Sequence, residues 1–139
     1  MSLPWRPVGA ANLIAVDVRG IFWPRRRREP TESLNPPAEE DLLQIEALRA
    51  AGSRVELPHP VRAFLLFGLE ADARGFMEAV ERDGARCQVR ATADGRWMVT
   101  AVQLVVPTPG GITKLREGLT ETAQRSGGRF LSWQAPVVR

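Results

Sequence analysis

The side chains able to do covalent or acid–base chemistry are few and far apart. The chain has 139 residues, with one cysteine, Cys87, and one histidine, His59. Nucleophilic catalysis needs a nucleophile with a base in hydrogen-bond reach, and nothing in the sequence brings these two together. His59 stands between Pro58 and Pro60, which predicts an exposed loop residue. Cys87 falls on the apolar face of an alternating run, where no neighbouring cation would lower its pKa, and it is predicted buried and inert. Glu39, Glu40 and Asp41 are adjacent, but a first helical turn accounts for three acids without a metal. Glu78, Glu81, Glu117 and Glu121 have spacings that suit solvent-facing helix positions. No zinc-ligand spacing, phosphate loop or dinucleotide fingerprint is present. The expectation is no catalytic residue, no metal, no cofactor and no enzyme. Binding chemistry remains, and its candidates are Trp97, Arg86, Arg90 and Gln103, since Trp and Arg are frequent anchors of protein interfaces.

These four depend on one hairpin for their position. Residues 96–107, RWMVTAVQLVVP, are rich in Val and Trp and lie between Asp94-Gly95 and a proline, which predicts a β-strand. Residues 85–92 alternate, with Ala85, Cys87, Val89 and Ala91 on one face and Arg86, Gln88, Arg90 and Thr92 on the other. Asp-Gly favours a two-residue turn. That turn would set Cys87 opposite Val102 and Thr92 opposite Trp97, so that Trp97, Arg86, Arg90 and Gln103 project from one face.

The remaining elements follow from periodicity and punctuation. A helix is predicted from Asn35-Pro36-Pro37, with Asn35 as cap, Leu42, Ile45 and Leu48 as its stripe, and Gly52 at its end. Residues 61–67, VRAFLLF, are apolar on both faces and read as a central strand. Ala73, Phe76, Met77 and Val80 mark a second helix closed by Gly84. Thr108-Pro109 starts a third, with stripe Ile112, Leu115, Leu119 and Ala123, and Gly127-Gly128 stops it. Residues 129–133 form a last short strand. The order is β-α-β-β-α-β after a leading helix. Right-handed crossovers make this an α+β, ferredoxin-like sandwich with both later helices on one face of an antiparallel sheet.

Charge separates the chain into an arm, residues 1–36, and a domain, residues 37–135. The net charge is +3, and all of it lies in the first 38 residues, mostly in Arg25 to Arg28. The arm is proline-rich and reads as an irregular, solvated linker, with 13–18 as a possible short strand. The balanced charge of residues 39–139 argues against direct RNA binding. One cysteine excludes an internal disulfide. No apolar run reaches the roughly 20 residues of a membrane helix, and no signal-peptide layout is present, so a cytoplasmic protein is expected.

Between residues 41 and 133 a series of short features resembles the ribonuclease E inhibitor family of RraB type. They are Leu48-x-x-x-Gly52-Ser53, Val61-Arg62-Ala63-Phe64, Asp83-Gly84, Trp97-Met98-Val99-Thr100, Val106-Pro107-Thr108, and the stretch 123–128 before Phe130 and Trp133. The resemblance implies a ferredoxin-like, non-catalytic module that binds an endoribonuclease and modulates RNA decay. The family commonly ends in aromatic-Asp-Gly-Trp with an acidic tail, whereas this chain has Phe130-Leu131-Ser132-Trp133 and a tail without acids. Other readings of the sequence are an open sheet face that binds RNA, or one covered by the arm or a second copy as a homodimer.

Overall fold

The computed structural model describes residues 32–139; the short strand expected at 13–18 and the Arg25–28 linker lie outside them. Its elements are α1 (Glu39–Ala50), β1 (His59–Phe67), α2 (Glu70–Glu81), β2 (Arg86–Ala91), β3 (Trp97–Val105), α3 (Pro109–Arg125) and β4 (Arg129–Gln134). The strands form one antiparallel sheet in the order β2-β3-β1-β4. Helices α2 and α3 pack on each other and on one side of that sheet, and α1 lies against α3. The core between the layers holds Val61, Ala63, Leu65 and Phe67 of β1, Val99 and Ala101 of β3, and Trp133 of β4. Phe76, Val80, Ile112, Leu115 and Leu119 close it from the helices.

Helix α3 starts as its sequence predicts. The Thr108 hydroxyl accepts the Gly111 N–H at 3.0 Å and Pro109 occupies the first turn. Helix α1 does not. Its N-cap is Ala38, with no side-chain cap, while Asn35 donates to Glu117 on α3 instead. Its inward stripe also differs from the predicted one: Asp41, Ile45 and Leu48 are buried, and Leu42 is 42 % exposed. A stripe at i, i+4, i+7 fits a helix as well as Leu42, Ile45 and Leu48 do, and a carboxylate fills its first place.

The hairpin register is one residue away from the expected one. Arg86 pairs with Val102, Cys87 with Ala101 and Ala91 with Trp97. The loop has three residues, because Thr92 N–H bonds the Arg96 carbonyl at 2.8 Å and Gly95 N–H bonds Thr92 at 3.1 Å. Gly95 adopts φ +86°, the left-handed turn residue that such a three-residue connection requires. Thr92 and Arg96 both bond the Asp94 side chain, and these bonds hold the Asp94 carboxyl down to about 2. A slip of one residue turns every side chain of β3 to the other face. Trp97, Val99, Ala101 and Gln103 therefore lie on the helix side, and Met98, Thr100 and Val102 on the open side.

Candidate functional site

The shifted register divides the four predicted binding residues. Arg86 and Arg90 stand on the open face of the sheet. Trp97 and Gln103 stand on the opposite face, in register with Phe67 and Val61 of β1, and Trp97 packs against the core. They do not form one surface, because the loop holds three residues rather than two.

The pairings instead set out a different open face. One row across the sheet reads Arg86, Val102, Arg62, Gln134. The next reads Gln88, Thr100, Phe64, Ser132, and the third Arg90, Met98, Leu66, Arg129. A bulge between Phe64 and Leu65 gives β4 one extra residue, Leu131, and keeps its later residues in these rows. Arg62, Phe64, Arg86, Gln88 and Arg90 line a shallow concavity on this face, with Glu81 of α2 at its border. The four strands contain four arginines, all on the open side, and no acidic residue. Arg62, Arg90 and Arg129 are exposed and form no ion pair among the described residues. Elsewhere, Arg49, Arg54, Arg74, Arg96, Arg116 and Arg125 each meet a carboxylate.

Two of the three helices have the opposite sign, while α3 sets Lys114, Arg116 and Arg125 against Glu117 and Glu121. Helices α1 and α2 each hold four carboxylates and one arginine. On α1 the outward side also carries Leu42 and Leu43, the latter 66 % exposed. The groove beside it runs along Leu43, Gln44 and Ala47 to Gln134 and Ala135.

Neither of the reactive residues weighed in the sequence is placed for chemistry. His59 is 0 % exposed, contrary to the loop expectation: it is the first residue of β1, facing the core opposite Val105. Pro60 is tolerated beside it because β4 pairs with β1 only from Arg62 onward. The Leu57 carbonyl lies 2.7 Å from His59 Nδ1 and can only accept, so Nδ1 carries the proton. Nε2 then accepts from the Ser53 hydroxyl at 2.6 Å. Ser53 Oγ in turn accepts the Val138 N–H at 2.8 Å, and Arg54 N–H bonds the Val138 carbonyl. The Ser–His pair is a buried pin for the C-terminal tail. Burial pushes the His59 pKa down, against the opposing bond to Leu57. Cys87 is half-buried rather than fully buried as expected; it packs against the core beside Ala101, and burial, aided by Glu81, pushes its thiol up to about 12.

A second buried polar cluster went unseen in the sequence. Asp41 receives Arg116 Nε at 2.9 Å and Nη2 at 2.7 Å, together with Trp133 Nε1 at 3.0 Å. The Arg116 guanidinium lies 4.6 Å from the centre of the Phe130 ring. These contacts fasten α1 to α3 and β4, and they assign Phe130 and Trp133 to architecture.

Residues 38–134 match the family model described as regulator of ribonuclease activity B. The chain belongs to that family. The match covers α1 to the end of β4, so it includes the Asp41–Arg116–Trp133 clasp and the whole sheet. Comparison with curated proteins finds no match. Family membership makes this chain a member of a group of ribonuclease regulators with a protein partner rather than a group of catalysts. No helix among the described residues is long and apolar enough to cross a membrane.

Proposed function

We propose that this protein is a non-catalytic, cytoplasmic regulator that binds an endoribonuclease of the ribonuclease E type and alters RNA decay. The observation that carries this reading is the family match over residues 38–134. The inaccessible His59 and the high-pKa, core-packed Cys87 support a binding role. The connectivity β1-α2-β2-β3-α3-β4 with order β2-β3-β1-β4 favours a ferredoxin-like domain over residues 37–135, preceded by an arm over 1–36.

The enzyme contact is assigned to α1. Leu42 and Leu43 are exposed apolar anchors set among Glu39, Glu40 and Glu46. An enzyme that handles RNA carries basic surface, and an acidic helix with two leucines complements it in charge while excluding water at its centre. Helix α1 carries this acidic charge in folded form. The test measures cleavage of a labelled RNA by the purified ribonuclease with increasing amounts of this protein. Cleavage should slow to a plateau, and the double substitution Leu42→Glu, Leu43→Glu should weaken the effect by about 2 kcal/mol. Cleavage unaffected at saturation would defeat the regulatory reading; full potency of the double variant would remove α1 as the contact.

A further inference from the structure

We infer that the open face of the sheet binds single-stranded RNA. This goes beyond ribonuclease regulation and does not rest on it. A formal charge of zero over residues 39–139 conceals an uneven distribution: the strands carry four arginines and no acid, while α1 and α2 each hold four carboxylates to one arginine, and of these only Glu81 borders the concavity. A basic face on a globally balanced domain is the electrostatic footprint of a polyanion. Three of its arginines, Arg62, Arg90 and Arg129, form no ion pair among the described residues, where six arginines elsewhere do.

The layout favours nucleic acid over an acidic peptide. Between the two arginine-bearing rows runs a row of Gln88, Thr100, Phe64 and Ser132. An amide and two hydroxyls can bond base edges, and the Phe64 ring, at the centre of the sheet, offers a stacking platform. Leu66, the apolar side chain nearest to it on β1, is only 8 % exposed and offers a hydrophobic peptide little. Three strand spacings give a width of about 14 Å, and the outer rows lie about 13 Å apart. That is room for two or three bases with phosphates over the arginines. The N-terminal 31 residues carry six arginines and two acids, the wrong sign to neutralise this face.

The experiment is fluorescence anisotropy of a short labelled oligouridylate with the full chain and no ribonuclease. The triple variant Arg62→Gln, Arg90→Gln, Arg129→Gln should bind at least about tenfold more weakly at low salt, and its slope of log affinity against log salt should be shallower by about 2. Phe64→Leu should lose about tenfold with the slope unchanged, since stacking releases no counterions. Thermal melts of each variant establish that it is folded. A second control replaces Arg25 to Arg28 by Gln and should retain most of the binding. The inference is overturned if the oligonucleotide does not bind. It is equally overturned if the face variants bind as the natural chain does, if the Arg25–28 variant alone abolishes binding, or if a polyglutamate peptide competes as well as RNA.

Discussion

Asp41 sits in the first turn of a helix, where a carboxylate is ordinarily explained by the dipole alone. Here it is 1 % exposed and accepts three bonds from Arg116 and Trp133. Replacing one partner of such a pair strands the other's charge. Asp41→Asn should therefore cost about 3 kcal/mol in urea unfolding, and combined with Trp133→Phe the losses should fall short of additive. A change below about 0.5 kcal/mol would show the surface explanation to be sufficient. His59 gives a pH-dependent prediction. Its folded pKa is depressed, so between the folded and unfolded values unfolding takes up a proton. Stability is then complete above the unfolded value of about 6.5 and declines as the pH falls below it. His59→Gln should flatten the unfolding midpoint between neutral pH and the onset of carboxylate protonation; an unchanged slope would contradict the assignment. Neither residue's role was legible in the sequence. A proline-flanked histidine and a first-turn aspartate have ordinary surface explanations, and their partners Ser53, Val138, Arg116 and Trp133 come together only through long-range packing.

At the scale of elements most of the fold was legible, because glycines and prolines mark its joints: Gly52, Gly84, Pro107 and Gly127-Gly128 end elements where expected. One of these joints also serves packing. A Cβ on Gly128 would lie 2.2 Å from the ring of buried Phe67, which itself packs on Phe76 at 5.2 Å. Gly128→Ala should destabilise the domain by about 1–3 kcal/mol, and Phe67→Leu should recover part of that loss in the double variant. The register of the hairpin was not legible. Asp94-Gly95 suits two-residue and three-residue loops alike, and β3 is apolar on both faces. Its two polar residues, Thr100 and Gln103, point to opposite sides. The same ambiguity hid the open face: Arg86 and Arg90 were recognised, but Arg62, Phe64 and Arg129 gain meaning only when all three strand pairings are fixed.

For the whole molecule, the sheet order makes β1 and β3 the interior strands and leaves β2 and β4 at the edges. Opening a central strand requires breaking two ladders, so amides of Ala63, Leu65, Val99 and Ala101 should exchange slowest with solvent. Equally slow exchange across β2 would contradict this order of stability. The excess of arginines on the strands and of carboxylates on α1 and α2 has a different consequence, in the kinetics of encounter. This uneven distribution gives the folded domain an electric polarity, so that a charged surface exerts a torque on it as well as a pull. Within about a Debye length, roughly 8 Å at physiological ionic strength, a polyanion draws the sheet towards itself and turns α1 outward. A polycation does the reverse. The domain thus reaches a partner of either sign already rotated towards the matching side, which shortens the orientational search before any side chain makes contact.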